Sequence, residues 1–133
     1  MSDRAYWEKR LGKNILMVDE MIGWLHCWDP NLVPHYSRPR SKMIGLKRAG
    51  LVDNFVTFWP ARNGVRVEPK LPFFAEIEES LRKAGLDVLE YRKDEPRYRI
   101  RVTVDEFPQH RPLLRELLRM AHGKAAILVW GTL

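Results

Sequence analysis

Residues 54–69 of this 133-residue chain read NFVTFWPARNGVRVEP. Aromatic and β-branched residues fill most of the first six positions, which is typical of a strand, and a second such run extends from Val65 to Leu71. Between them, residues 61–64 contain the pair Asn63-Gly64, which tolerates the positive φ angles of a tight hairpin turn. The segment therefore predicts an antiparallel β-hairpin.

Apolar spacing on either side of this hairpin predicts further strands and helices. The predicted helices cover residues 4–11, a segment that follows the candidate capping residue Asn14, residues 73–84, and residues from about 110 to 122. The predicted strands cover residues 42–48, 54–59, 65–71, 86–92, 97–104 and 125–130. The sequence thus predicts an α+β fold, with a mostly antiparallel sheet covered by helices in the order α-α-β-β-β-α-β-β-α-β.

The buried side of each helix is indicated by its apolar stripe. In the second helix the expected stripe is Ile15, Val18, Ile22 and Leu25, broadened by Leu16, Met21 and Trp24. In the third helix it is Phe73, Ile77, Leu81 and Ala84, and in the last helix it is Leu113, Leu114, Leu117, Leu118 and Ala121. We expect Pro112 in the first turn of the last helix and Gly123 at its end.

The chain is predicted to form one domain over residues 1–133. It would comprise an N-terminal helical segment over about 1–28, a proline-rich loop over about 29–41, and the sheet with its helices over about 42–133. Pro30, Pro34 and Pro39 remove backbone donors and fix φ, so neither a helix nor a central strand is expected in the loop. An apolar content of 45% excludes a disordered tail, because so much apolar surface offsets the entropy lost on folding.

Charge and cysteine content restrict the compartment and the class of partner. The first ten residues carry charges where a signal peptide needs an apolar run, and no stretch approaches the ~18 apolar residues of a membrane span. With the single Cys27, this predicts a cytoplasmic protein with no membrane partner. The net charge of +6 allows nucleic acid, an acidic protein or anionic lipid as a partner, although solubility alone also explains a basic balance.

Several strand and turn segments match a known bacterial arrangement. They are residues 43–47 (MIGLK), 54–60 (NFVTFWP), 65–72 (VRVEPKLP) and the late leucine-rich run 113–121 (LLRELLRMA). This arrangement resembles the family of uncharacterised bacterial domains labelled "predicted transport protein", which stand alone or end longer proteins, including proteins with nuclease domains. The resemblance covers residues from about 42 to 122. It implies a fold more than a function, because that family has no agreed catalytic residues to place on this chain.

Rows of arginines provide the main functional signal. Arg97, Arg99 and Arg101 alternate onto one strand face about 7 Å apart, which is close to the spacing of successive phosphates in a nucleic-acid strand. Arg92 and Lys93 lie on the other arm and at the tip of the same predicted hairpin. A second stripe recurs every four residues on the last helix at Arg111, Arg115 and Arg119, and the loop adds Arg38, Arg40 and Lys42.

If these stripes converge, they form a surface that binds nucleic acid through its phosphates, without strong sequence preference. The opposing interpretation is that the arginines cover apolar surface and pair with Glu90, Asp94, Glu95 or Glu116. Interleaved aromatic residues would favour single strands, but Tyr98 is expected to face inward and Trp59 and Trp130 are candidates for the core.

A metal-dependent nuclease is the enzymatic alternative. Asp53 before one strand, with Glu68 and Lys70 on the next, could hold Mg²⁺ and activate water in the manner of Asp…Glu-x-Lys nucleases. Against this, Glu and Lys two residues apart on a strand are common as an exposed ion pair, and Pro69 between them disturbs the ladder. The sequence therefore favours a non-catalytic binding module without a cofactor.

Two further groups are more readily explained by structure than by function. His26, Cys27, Asp29 and His35 form a metal-like cluster, but their spacing does not suit zinc, so a buried thiol and ordinary histidines are expected. Trp7, Trp24 and Trp28 are expected to fill the core, and the alternative is a pocket or partner groove between the N-terminal helices and the sheet. Such a groove would suit a third function, a protein-binding or homodimerising accessory domain.

Overall fold

The protein folds into a single antiparallel sheet with helices, as seen in a computed structural model that describes residues 3–36, 43–48, 51 and 53–130, the last seven of these by backbone alone. The helices are α1 (Asp3–Leu11), α2 (Ile15–Trp28), α3 (Ala75–Lys83) and α4 (Phe107–Trp130), with a 3-10 turn at Gly12–Asn14. The strands are β1 (His35–Tyr36), β2 (Ile44–Leu46), β3 (Val56–Ala61), β4 (Gly64–Pro69), β5 (Asp87–Val88) and β6 (Ile100–Thr103).

The predicted hairpin is the centre of the sheet. The strand order is β1-β2-β3-β4-β6-β5, and every pair is antiparallel. Strands β3 and β4 pair from Val56↔Pro69 to Ala61↔Gly64, and Asn63 in the turn between them has a φ of 62°. The turn residue with positive φ is thus an asparagine, one of the few residue types that adopt this conformation readily.

Side chains along the central strands point alternately to the two faces of the sheet, and one face is apolar and buried. We call it the dry face. Val56, Phe58, Val65 and Val67 are buried, and they belong to the same hydrophobic cluster as the buried side chains of α1, α2, α3 and α4. The helices therefore lie on this face. The opposite face, which we call the helix-free face, carries Thr57 and Trp59 of β3, Arg66 and Glu68 of β4, and Arg101 of β6.

The predicted α+β class and the antiparallel sheet are confirmed, and the order of elements through the last helix matches apart from the added edge strand β1, which lies in the predicted proline-rich loop. The strand predicted for residues 125–130 is wrong, because α4 continues through this segment to Trp130. A short apolar run fits a buried strand and a helix equally well by periodicity. Gly123 does not end the helix, since its backbone stays helical, and Pro108 rather than Pro112 occupies the first turn.

The helix stripes are largely as predicted, except at Leu16, Phe73 and Ala84, of which Ala84 is exposed because it is the C-cap residue at the end of α3. Leu16 is 66% exposed because, at 100° per residue, it points away from the stripe of Ile15, Val18 and Ile22. Phe73 is 48% exposed because it precedes α3 and does not share its buried side. Asn14 lies in the 3-10 turn and makes no side-chain cap bond to α2. Within the described residues, no helix combines the length and the apolarity needed to cross a bilayer.

Gly64 has no room for a side chain where β4 meets β6. A Cβ at this position would lie 2.0 Å from the backbone oxygen of Val102. We predict that Gly64→Ala lowers the free energy of unfolding by about 1–3 kcal/mol, because the two strands must move apart to accept the methyl group. Urea denaturation followed by circular dichroism measures the change.

Gly23→Ala is the matched control. Gly23 lies inside α2, and a Cβ there would meet nothing within 4 Å. We expect this variant to gain about 0.5–1 kcal/mol, because alanine loses less backbone entropy than glycine in a helix. Equal stabilities of the two variants would contradict the close approach at Gly64.

Candidate nucleic-acid interface

A row of side chains crosses four neighbouring strands on the helix-free face. Trp59 pairs with Arg66 across β3 and β4, Arg66 pairs with Arg101 across β4 and β6, and Arg101 pairs with Asp87 of β5. The guanidinium carbon of Arg66 lies 5.0 Å from the centroid of the Trp59 ring, which is a cation–π distance. Trp59 is only half-buried, so it is not a core residue and offers an aromatic surface beside positive charge.

A second row on the same face is polar and buried. Thr57 and Glu68 face each other across β3 and β4 and are 3% and 4% exposed. Trp59 Nε1 donates to Thr57 Oγ1 at 3.0 Å, and Arg66 Nε donates to Glu68 Oε2 at 2.5 Å. The carboxylate of Glu68 is therefore stabilised by a cation that also contacts the tryptophan.

Of the three hairpin arginines only Arg101 lies within β6, because the strand predicted for 97–104 is shorter than expected; Arg97 forms an isolated bridge with Lys70 and Arg99 lies between the two, while burial still alternates as predicted. Tyr98, Ile100 and Val102 between them are buried, whereas Arg97 and Arg99 are half-buried and Arg101 is exposed.

The three arginines bind different groups. Arg97 donates to the backbone oxygens of Asn54 (2.8 Å) and Glu68 (3.4 Å), and Arg99 donates to the backbone oxygen of Glu90 (2.5 Å). Arg101 pairs with the carboxylate of Asp87 at 2.8 Å. Among the described residues, Arg97 and Arg99 thus hydrogen-bond to backbone carbonyls, and Arg99 also lies close enough to Asp94 to help lower the pKa of that carboxyl.

The tip of this hairpin carries an exposed ion pair. Arg92 donates to Asp94 at 2.8 Å, and this hydrogen bond lowers the pKa of Asp94 and raises the pKa of Arg92. Lys93 is exposed at the same tip. Only part of the predicted charge at the tip is therefore available to a ligand.

The second arginine stripe lies in the helical layer. Arg111 pairs with Glu20 of α2 at 2.6 Å, Arg115 lies over the ring of Trp28 with 5.8 Å to the centroid, and Arg119 pairs with Glu116. The hydrogen bonds raise the pKa of Arg111 and Arg119, and the bond from Arg119 lowers the pKa of Glu116. Because α4 packs on the dry face of the sheet, this stripe does not converge with the hairpin arginines. The loop residues Arg38, Arg40 and Lys42 lie outside the described residues.

Asp53, Glu68 and Lys70, the residues of the nuclease alternative, are each close to an opposite charge. Lys70 Nζ lies 3.2 Å from Asp53 Oδ2, whereas Glu68 is paired with Arg66. Asp53 is 73% exposed and Glu68 is buried, so their environments differ sharply. In the part of the chain that the structure describes, no three His, Cys, Asp or Glu side chains are grouped in a way that could hold a metal ion.

The metal-like cluster of His26, Cys27, Asp29 and His35 does not form a metal site among the described residues, and Asp29 binds other side chains. His26 Nε2 lies 2.7 Å from Leu32 O, and Cys27 is exposed, so the predicted buried thiol is wrong. Asp29 forms a half-buried trio with Arg48 and His122, in which Arg48 Nη1 lies 3.1 Å from Asp29 Oδ2 and 2.6 Å from His122 Nε2. Sequence reasoning missed this trio because its members are 19 and 74 residues apart.

The N-terminal tryptophans pack against other elements. Trp7 is fully buried, Trp24 stacks on Phe107 at 6.0 Å between centroids, and Trp28 lies under Arg115. Trp7 thus fills the core as expected, whereas Trp24 and Trp28 are half-buried and pack against its edge.

A separate aromatic cluster lies where the chain enters α3. Tyr98 Oη accepts a hydrogen bond from Phe74 N at 2.7 Å. The ring centroids of Tyr91 and Phe73 are 5.4 Å apart. Burial raises the pKa of both Tyr91 and Tyr98. Phe73 and Phe74 remain 48% and 44% exposed, and Phe73 borders a 350 Å³ cavity. This exposed patch is an apolar surface of the kind that the protein-binding alternative requires.

Comparisons with protein-family models, with curated proteins and with solved structures found no match.

Arg66 compensates the buried charge of Glu68. We predict that Arg66→Met lowers the free energy of unfolding by about 1–3 kcal/mol, because it leaves a buried carboxylate without its cation. Thermal and urea unfolding at neutral pH measure the loss.

Arg101→Met is the control for this prediction. Its partner Asp87 is 58% exposed, so water replaces the lost cation and the stability should stay nearly unchanged. Equal losses in the two variants would contradict a special role for the Arg66–Glu68 pair.

Proposed function

We propose that this domain binds single-stranded nucleic acid on its helix-free face, without catalysis. In this proposal a base stacks on Trp59, and Arg97, Arg99 and Arg101 contact the phosphates of the same strand. The observation that carries the proposal is the half-exposed Trp59, which lies on the same sheet face as the arginine row and in contact with Arg66.

The stacking partner is what favours single strands over duplexes. The bases of a duplex are already stacked on each other, whereas those of a single strand can turn onto an aromatic side chain. Such a contact is typically worth about 1–3 kcal/mol per base and tolerates any sequence. Trp59 with Arg66 beside it is an aromatic and cationic pair of the kind that such proteins use.

The ion pairs of the arginines do not prevent phosphate binding. Arg101 and Asp87 are both about half exposed, and exposed pairs of this kind contribute little to stability. A phosphate can therefore replace the carboxylate. Arg97 and Arg99 hydrogen-bond to neutral carbonyl groups in the described part of the chain, so a phosphate does not have to displace a hydrogen-bonded carboxylate from them.

The proposal confines the contact to the sheet side of the molecule. Arg92 and Lys93 at the hairpin tip can extend the phosphate track, because they belong to the same hairpin. Arg111, Arg115 and Arg119 lie in the helical layer on the other side, so we exclude them from the contact although the sequence suggested them.

Other expectations from the sequence stay predictions. They are the metal-dependent nuclease with Mg²⁺ at Asp53, Glu68 and Lys70, the protein-binding or homodimerising module, the resemblance to the "predicted transport protein" family, and a bacterial cytoplasmic location. Incubating plasmid with Mg²⁺ tests the nuclease, and cleavage that persists in Asp53→Ala and Glu68→Ala would contradict that assignment. Sizing at several concentrations tests dimerisation.

Trp59→Ala should weaken binding of a fluorescent mixed-sequence oligonucleotide by about tenfold, because the stacking contact is lost. Fluorescence anisotropy measures the dissociation constant, and circular dichroism verifies the fold. Trp24→Ala is the control. It also removes a half-buried tryptophan, but from the helical layer, so a folded Trp24→Ala protein should bind as the wild type does. No complex for the wild type at low salt would end the proposal.

The salt dependence of binding identifies the arginines that contact phosphate. Arg99→Gln should reduce the slope of log affinity against log salt by about 0.7, the value expected for one phosphate contact with a single strand. The matched control is Arg115→Gln, which removes the same charge from the helical layer and should leave the slope unchanged. Equal effects of both substitutions would show that only net charge matters.

A further inference from the structure

A polar cavity lies at one end of the sheet, between the β3–β4 turn and the paired strands β5 and β6. Its volume is about 380 Å³. Its walls include Arg62 and Asn63 of the turn, Asp87 of β5, Arg101 and Thr103 of β6, and Glu106, which precedes α4. Arg62 and Arg101 are both exposed, so a ligand that enters the cavity from solvent can contact both side chains.

All the charged side chains of this cavity except Arg62 already have a partner. Arg101 Nε lies 2.8 Å from Asp87 Oδ2, and Glu106 Oε1 accepts a hydrogen bond from the backbone N–H of Thr103 at 3.1 Å. Arg62 forms no ion pair and no hydrogen bond with any described residue. The cavity therefore contains one guanidinium group whose N–H donors are all available to an anion.

The turn that carries Arg62 is held against β6. Gly64 pairs with Thr103, and a Cβ at Gly64 would lie 2.0 Å from the backbone oxygen of Val102. Asn63 adopts a φ of 62° and completes the two-residue connection between β3 and β4. The backbone of the turn is thus fixed relative to β6, so only the side chain of Arg62 has to become ordered when an anion binds.

The register places this turn on the continuation of the arginine row. Arg101 pairs with Arg66, and two residues further along β6 Thr103 pairs with Gly64, at which the turn begins. Because a strand advances about 3.3 Å per residue, the turn lies roughly 7–10 Å beyond Arg101 along the strand direction. Arg99 and Arg101 are themselves about 7 Å apart along the chain. Arg62 therefore occupies the next position for a phosphate after Arg101.

Phosphate is the anion that suits the arginines of this cavity. A guanidinium group can donate two parallel N–H···O bonds to one phosphate. The carboxylates on the cavity wall do not prevent this contact, because Asp87 is 58% exposed and paired with Arg101, and Glu106 is bound to a backbone N–H of Thr103. An anion at Arg62 thus adds the negative charge for which the cavity has a free cation.

We propose that Arg62 binds a phosphate group in this cavity, next to the phosphate at Arg101, and that the β3–β4 turn is one end of the contact surface. This inference rests on the proposed function for the source of the phosphate, which would belong to the strand that also contacts Arg99 and Arg101. It goes beyond that function because it adds a binding site outside the hairpin arm and defines where the bound strand ends.

Arg62→Gln is the test variant, because it removes the charge from an exposed turn position and keeps a polar side chain there. With an eight-nucleotide thymidine strand and fluorescence anisotropy, we expect the slope of log affinity against log salt to fall by about 0.7, the value for one phosphate contact with a single strand. The control is Lys83→Gln, which removes the same charge from an exposed position at the end of α3 and should keep the wild-type slope. A wild-type slope in Arg62→Gln, or an equal reduction in Lys83→Gln, overturns the inference and leaves the proposed function intact.

Strand length provides a second readout that a general effect on the fold or on net charge would not change. A three-nucleotide strand can occupy the hairpin arm without reaching the turn, so Arg62→Gln should bind it nearly as the wild type does. The eight-nucleotide strand reaches the turn and should lose affinity severalfold at low salt. Arg99→Gln should weaken the binding of both strands. The same fractional loss for both strands in Arg62→Gln contradicts the position of Arg62 at the end of the contact surface.

Titration of ¹⁵N-labelled protein with inorganic pyrophosphate separates the inference from the function on which it rests. We expect the amide resonances of residues 61–64 and 101–103 to shift in the wild type and to stay in place in Arg62→Gln. If they behave in this way while no oligonucleotide binds, the phosphate site stands and nucleic acid is the wrong source. If neither pyrophosphate nor any oligonucleotide binds, both proposals are overturned.

Discussion

The register of the β3–β4 pair is the constraint on which the rest of the molecule depends. It places Thr57 opposite Glu68 and Trp59 opposite Arg66 on one face, while Phe58 and Val67 meet on the other. A shift of one residue would move every side chain of a strand to the opposite face and bury the polar ones against the helices. The Asn63 turn and the absence of a side chain at Gly64 restrict the strands to the observed pairing.

Net charge is a poor guide to the surface that this chain offers a ligand. The excess of six positive charges is spread over both layers, and many arginines are neutralised by a nearby carboxylate. What distinguishes the helix-free face is the hydrogen bonding of Arg97 and Arg99 to carbonyl oxygens, which orients these side chains without a hydrogen-bonded carboxylate among the described residues. The position of a cation relative to an aromatic ring, as with Arg66 beside Trp59, is more informative than a count of basic residues.

Local patterns predicted what depends on neighbours in sequence. Alternation correctly separated Tyr98, Ile100 and Val102 from the arginines between them, and the Asn-Gly pair correctly marked the central turn. The relation between elements was beyond these patterns, since the periodicity of α4 gives its polar side but not the side of the sheet on which that helix packs. The sequence also left open whether Trp59 is buried, because a tryptophan in an alternating strand fits either face until the partner strands are known.

Two features were not predicted from the sequence, one because its composition fits both a strand and a helix, and the other because it joins distant elements. The apolar run at 125–130 was assigned as a strand on composition, although alanine and leucine within it also favour a helix. The trio of Asp29, Arg48 and His122 joins the end of α2, the segment after β2 and the last helix, and only the tertiary structure brings these together.

The two outermost strands, β1 and β5, are only two residues long. Such short borders present few unpaired amide and carbonyl groups, so another extended chain gains little by hydrogen bonding alongside them. Within the described sheet, growth into a continuous ribbon or a fibril is therefore disfavoured. Along the described edges, a partner therefore gains more from side chains on the broad surfaces of the molecule than from its backbone margins.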